Sequence, residues 1–451
     1  MQRRVAELEA IVRDLQARLG LNATNSSLPP SANPPSAPKP VVKKPTGRQP
    51  GGQPGHPAHS RLRLPPEQLK EVIHFIPKVC ARCQTALPTQ AAANEPEPHW
   101  HQVAELPPTL AEVTEYQAHA RTCSCCGHVT WEKIPDDIRG HAFGPRLSAT
   151  VSYLSGSPHV SKRGIEEVVE TVIGIPLALG TVANLEQEMS AALAATHDEA
   201  QAAVQDAPVK HVDETGWKQA GQRCWLWAAA TKLVACFAIH VSRGAVGLVA
   251  LLGEKIKGIV CSDRWSVYGR LPVAERQLCW AHLKRDFQKL VDRGGPAKEI
   301  GEAGLATTWI VFDLWHAFLG GGMDRAQLQR EIKDWRAIFR EQLRQGCACT
   351  DAKAAAFCAN LLAVEAALWT FVETAGVEPT NNHIERLLRS GVLWRKNAFG
   401  CHSEEGCRFV ERILTVVQTL RLQKRSVLEF LHHALLAHRN NNPAPKLLPT
   451  G

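Results

Sequence analysis

The apolar positions at the start of the chain, Val5, Leu8, Val12, Leu15 and Leu19, step by 3, 4, 3 and 4 residues. That spacing predicts a short coiled-coil zipper over residues 1–22, stopped by Gly20 and Asn22. So short a zipper is marginal alone, and a helix packed on its own protein shows the same spacing. Periodicity then disappears. Residues 23–64, with NSSLPPSANPPSAP and KPTGRQPGGQPGH, are rich in Pro, Gly and Ser and predict a basic linker, either a plain tether or a segment lying along a phosphate backbone. Between 65 and 138 two β-like runs, His99 to Leu106 and Glu112 to Thr122, predict a small β domain. Residues 139–205 return to helical patterning, clearest over Gly164 to Val172 and Leu185 to Leu193, and predict a helical connector able to contact DNA.

The alternation of Val209, His211 and Asp213 predicts a strand closed by a turn at Glu214-Thr215-Gly216. Two β-rich runs, Cys224 to Thr231 and Leu233 to Val241, make a meander with it. A helix over Gly244 to Leu252 and strands over Gly258 to Ser262 and Gln277 to Trp280 follow. A long helical block at about 294–375 carries Trp309, Trp315, Trp335 and Trp369, read as core residues rather than base-stacking ones. Further helices occupy 401–451.

Composition narrows the class. A chain of 451 residues, 44% apolar, buries substantial cores and is not disordered. Its net charge of +8 has its excess in 39–63 and 386–425, which predicts a polyanionic partner, nucleic acid first. MQRRVAELEA lacks the apolar core of a signal peptide. The most apolar run, Leu226 to Val241, is interrupted by Lys232 and too short to span a bilayer, so a soluble cytoplasmic protein is expected. Fourteen scattered cysteines without an export signal point to reduced thiols and a metal site.

Four of those cysteines form two CxxC pairs, CARC at 80–83 and CSCC at 123–126. Each pair supplies two thiolates from one turn, so Cys80, Cys83, Cys123 and Cys126 make a tetrahedral set for one structural Zn²⁺, with Cys125 and His119 as alternative ligands. The element order βββαββ followed by helices is that of a ribonuclease H-like domain. Asp213 and Asp263 each close a strand in that reading, and the two strands lie side by side. A third carboxylate completes a two-Mg²⁺ site. EPTNNHIERLLRS, residues 378–390, offers Glu385, sharing a helix face with Asn381, Asn382 and Arg389. Asn382-x-x-Glu385 also reads as a capping box, in which Glu385 would only bond back to the helix start.

DET, SDRW, CWAHLKRDF, TNNHIER and RKNAFG, together with the N-terminal zipper, the Asn-Ser-Ser-Leu-Pro-Pro-Ser stretch, GGQPGH and the paired CxxC motifs, resemble the transposases of the insertion sequence 66 family over nearly the whole chain. The resemblance implies a multidomain α+β protein. Its ribonuclease H-like catalytic domain, 206–400, would contain an all-helical insertion and follow a short coiled coil and a small zinc-binding β domain. It implies Asp213, Asp263 and Glu385 as the catalytic triad holding two Mg²⁺, and a CxxH pair, Cys279 and His282, that reads equally well as a buried thiol beside a helix-start histidine. Arg386, Arg389, Arg395 and Lys396 would face DNA phosphates. The expected activity is cleavage of the 3′ ends of an element's inverted repeats and their joining to target DNA. The expected partners are that double-stranded DNA, further copies of the chain and accessory proteins encoded by the same element. A nuclease or resolvase without joining, and a non-enzymatic zinc regulator, are the alternatives.

Overall fold

The computed structural model describes residues 11–12, 14–16, 19–23, 25, 63–90, 96–107 and 110–448. Val5, Leu8 and the linker through GGQPGH lie outside the described residues. Val12, Leu15 and Leu19 are helical and present at least half of their side-chain area to solvent. The chain divides into two units, Lys39–Glu112 on one hand and Met1–Pro38 with Val113–Gly451 on the other. This division puts CARC in the first unit and CSCC in the second. No described helix is long and apolar enough to cross a membrane.

In the smaller unit, CARC forms a tight turn below the bridge between Val79 and Ala86. The Cys80 N–H donates to the Thr85 carbonyl, the Gln84 N–H donates to the Cys80 carbonyl, and Gln84 is left-handed at φ 61°. The described run from His99 to Leu106 forms no strand. In the larger unit, strand β1 (Ala120–Thr122) pairs with β2 (Val129–Trp131), and the loop between them is CSCC. Its backbone repeats the CARC pattern: Cys123 N–H to His128 carbonyl, Gly127 N–H to Cys123 carbonyl, and Gly127 left-handed at φ 71°. The expected strand from Glu112 to Thr122 thus reduces to its last three residues.

Helices Pro145–Gly156, Lys162–Val168, Leu179–Ala192 and Ala194–Asp206 form the connector. A five-stranded sheet follows, made of β3 (Val209–Gln219), β4 (Gln222–Ala230), β5 (Ala235–His240), β6 (Ile259–Ser262) and β7 (Arg276–Leu278) in the order β5-β4-β3-β6-β7. The meander β3-β4-β5 is antiparallel, whereas β6 and β7 add to it in parallel. Helix Ala245–Leu252 makes the crossover into β6.

β3 corrects one expectation. The strand does not stop at Asp213, because Glu214, Thr215 and Gly216 pair with Trp227, Leu226 and Trp225. The chain reverses instead at Ala220 and Gly221, with φ of 48° and 78°. Two successive positive φ values give the turn whose twist matches a hairpin. Likewise β7 stops at Leu278, and Trp280 already belongs to the helix Trp280–Arg293.

β5 is a sheet edge, and a helix covers it. The N–H groups of Ala235, Phe237 and Ile239 donate to Thr419, Thr415 and Glu411 of the helix Glu404–Leu422. Strand residues two apart and helix residues four apart advance by similar distances, so one helix face serves alternate donors and closes the edge. Helix Asn382–Ala398 crosses the sheet closely at Gly391, where a Cβ would lie 2.3 Å from Leu226 Cδ2 and force that side chain to shift.

The helical block after β7 has a core of its own, built from helices Pro296–Leu319, Arg325–Cys347 and Ala352–Ala363 on Trp280–Arg293. Trp280, Phe339 and Trp369 pack ring against ring at its centre, with Phe287 against Phe339. Trp315 and Trp369 are buried, as expected of core residues, while Trp309 is 53% exposed beneath the Lys284 ammonium.

Candidate active site

The parallel register sets the first two acids. His211 pairs with Cys261, and the same register carried two residues on brings Asp213 beside Asp263, just past the end of β6. Asp213 is on the sheet face packed by the helix Asn382–Ala398, which carries Glu385 in its first turn. The three carboxyls influence one another. Burial, then the charges of Glu214, Asp263 and Glu385, push the Asp213 carboxyl well above the usual range. Burial also raises Asp263 and Glu385, and the Asp263 charge raises Glu385 further.

One hydrogen-bonded frame fixes all three elements. Asn381 precedes the helix of Glu385; its amide oxygen meets His211 Nδ1 at 3.0 Å and its amide nitrogen donates to the Val212 carbonyl at 2.9 Å, next to Asp213. The Asn381 backbone N–H donates to Cys279 Sγ at 3.1 Å, and the Cys279 N–H donates to the carbonyl of Ser262, next to Asp263. Each acid is therefore one to four residues from an atom of this frame. Asn381 is 1% exposed, so it does not share the open helix face with Asn382, Glu385 and Arg389, as its spacing suggested.

The capping-box alternative for Glu385 fails on geometry. The N-cap of its helix is Asn381, which makes no side-chain cap bond, and Glu385 Oε1 has no hydrogen-bond partner. Instead Oε1 lies 3.5 Å from His282 Nδ1, itself without a hydrogen-bond partner. Burial, then the Arg285 and Arg264 charges, lower the His282 ring to about 3, so it is neutral and the contact is not an ion pair. Cys279 Sγ, His282 and Glu385 each present a ligand atom within 4.8 Å of the others. The CxxH pair thus stands beside the third acid. Burial holds the Cys279 thiol protonated, pushed up to about 12.

Further residues of these motifs surround this centre. Glu214, on the opposite face of β3 from Asp213, is buried; its Oε1 accepts from Arg243 Nε at 2.8 Å and its Oε2 from the Tyr268 hydroxyl at 2.9 Å. The Arg264 guanidinium donates to Asp286 at 2.6 Å. Among the expected phosphate-facing residues, Arg386, Arg389 and Lys396 are exposed, whereas half-buried Arg395 donates to the Gly216 carbonyl and braces β3.

The model of the transposase IS66 family matches residues 140–409, more than half of the chain, and takes in the sheet and all three acids. The chain belongs to that family. Residues 1–62 match a family of unknown function (DUF6444). An uncharacterized protein of Sinorhizobium fredii is 24% identical over 262 residues, covering 50% of this chain and 46% of that protein. The match thus spans about half the length of that relative. Within the family's matched segment lie DET, SDRW, CWAHLKRDF and TNNHIER, the motifs whose side chains or backbones build the centre described above.

Proposed function

We propose that this chain is a DDE transposase that binds the terminal inverted repeats of an insertion sequence, cuts their 3′ ends and joins them to target DNA. The reading is supported by the electrostatic coupling of Asp213 on β3 with Asp263 past the end of β6 and Glu385 on the helix Asn382–Ala398. The sheet order β5-β4-β3-β6-β7, with an antiparallel meander and parallel β6 and β7, supports a ribonuclease H-like core.

The donor set fits Mg²⁺. Three mutually repelling carboxyls, one with an oxygen lacking any hydrogen donor, gain from a hard divalent cation what they lack from each other. Asp213, Asp263 and Glu385 would hold the two ions between them. Bound there, the ions would polarise the scissile phosphate and stabilise charge on the attacking and leaving oxygens. The protein's own part is positional. The Asn381 frame holds the strands and helix in register, and neutral His282 adds no positive charge to compete with a cation beside Glu385. Exposed Arg386, Arg389 and Lys396 supply charge for phosphates along the strand.

The zinc reading is proposed alongside. Its support is that CARC and CSCC fold separately into the same turn, with Cys83, Cys123 and Cys126 exposed and Cys80 half-buried. In each pair the first cysteine's carbonyl accepts from the N–H four positions on, so each CxxC stretch is closed as one turn. The zipper, further copies of the chain and accessory proteins from the same element belong to this reading as assembly partners.

Incubating purified protein with labelled element ends and Mg²⁺ tests the activity. Parent protein is expected to cut and join; Asp213→Asn and Asp263→Asn are expected to bind ends and do neither. Cutting without joining by the parent would reduce the reading to a nuclease, and unimpaired cutting by either variant would remove that aspartate from the site.

A further inference from the structure

Beside the acids, on the Glu214 side of β3, four side chains alternate between cation and ring. The Arg223 guanidinium lies 4.8 Å from the Trp225 ring centre, Arg243 lies 4.7 Å from the same ring, and Arg243 also lies 4.0 Å from the Trp265 ring. These side chains come from β4, the segment after β5 and the loop after β6, so no single stretch of sequence displays the array. Its middle is held rigidly. Arg243 is oriented by Glu214, and Glu214 by Tyr268, which is fully buried. Its outer end is tied to the catalytic centre, because the Trp265 backbone N–H donates to Asp263 Oδ1 at 2.8 Å.

A buried Trp-Arg stack would be ordinary packing. This one is open: Trp265 is 39% exposed, the Arg243 side chain 35%, and Arg223 lies on the surface. A large ring left in water beside a fixed guanidinium presents a flat π surface with positive charge along its edge. That combination matches a nucleobase leaving its stack, with phosphates on either side. Strand cleavage near a duplex end favours such a base, since melting the terminal pairs lets the scissile phosphate approach carboxylates recessed in a sheet.

Building on the transposase reading, we infer that Trp265, backed by Arg243 and Trp225, is a stacking site for an unpaired nucleobase of the DNA strand that enters the Asp213–Asp263–Glu385 centre. Trp265 would be a positioning residue: it holds the base adjoining the scissile phosphate, while Asp263, two residues earlier, would hold metal for the phosphate itself. Glu214 keeps Arg243 turned edge-on to its own carboxylate, so the guanidinium plane stays available to the rings.

The test uses full-length protein and a single-stranded thymidine 12-mer with one central 2-aminopurine, in buffer without added Mg²⁺ so that no cutting intervenes. Stacking quenches 2-aminopurine, and the parent is expected to quench it on binding. Trp265→Phe should retain most of the quench. Trp265→Leu keeps an apolar side chain without a π face, and should lose the quench and bind roughly fivefold or more weakly, in line with the usual worth of one base–aromatic stack. Far-UV circular dichroism and melting temperature identify any variant that is misfolded, and the Phe–Leu comparison then rests on the folded pair. Equal quenching by Leu and parent, or equal loss in Phe and Leu, would overturn the inference. Failure here with Asp213-dependent cleavage intact would leave the transposase reading standing. Quenching by a protein that cannot cut element ends would do the reverse.

Discussion

His282 Nδ1 lies 3.5 Å from Glu385 Oε1, and neither atom has a hydrogen-bond partner. Two polar atoms left facing each other inside a protein cost stability unless something else binds them. Their pairing gives Glu385 a different prospect from a helix cap.

Glu385→Gln is therefore expected to abolish Mg²⁺-dependent cleavage of element ends while the melting temperature stays within about a degree or rises. A capping role would have predicted full activity, since Gln serves equally at that position. A cleavage assay beside differential scanning calorimetry on the same preparation separates the two. Full activity in the variant would send the search for a third acid to Glu378.

Glu214, the residue after Asp213, is tied into the fold by its side-chain contacts. Glu214→Gln removes the charge that holds Arg243 and weakens the bond from buried Tyr268. Because the Arg243 side chain is about one-third exposed, water recovers part of the loss, and a cost of roughly 1–3 kcal/mol is expected. Urea unfolding followed by fluorescence would measure it. An unchanged midpoint would mean that the Glu214–Arg243–Tyr268 contacts carry no net stability.

Glu411 ties stability to pH. Its buried carboxyl, which accepts from the Ile239 N–H and pairs with Arg408 at 3.0 Å, is pushed up to about 7, chiefly by burial. The folded protein keeps this proton to about pH 7, while the unfolded chain releases it near the ordinary glutamate value. Between those limits the folded state binds more protons, so this group makes stability fall as pH rises from about 4.5 to 7 and contributes no further slope above that. Glu411→Gln still accepts from Ile239 and has no proton to lose. Melting temperatures at pH 5 and pH 7.5 should converge in the variant relative to the parent, and an identical difference in both would exclude Glu411 as the source.

Zinc is expected at about one ion per chain, with Cys80, Cys83, Cys123 and Cys126 as thiolate ligands. Metal analysis of protein purified without chelator measures it directly, and Cys80→Ser or Cys126→Ser should lower the content and weaken end binding. Well-folded protein without zinc would contradict the ligand set.

Much of the catalytic framework was legible in the chain because it is local. The alternation of β4 and β5 and the helix with Glu385 in its first turn depend on side-chain period and turn chemistry, which neighbouring residues set. Asp213 lies on the strand the sequence predicts for it, but that strand runs on past it to Gln219. The pairing of Glu214, Thr215 and Gly216 with β4 is a non-local bond pattern, and it overrode a dipeptide that reads as a turn. Asn381 was assigned to the wrong environment for a similar reason: helical spacing places a residue on a face, but only the packed sheet shows that this position meets His211 and Val212. The same holds for the Trp225–Arg243–Trp265 array, gathered from three separate segments. Sequence by itself determined which acids the chain had to offer and the elements that carry them. The tertiary structure decided how those elements meet, because the parallel register of β3 with β6 and the close crossing at Gly391 are set by contacts between residues far apart in the chain.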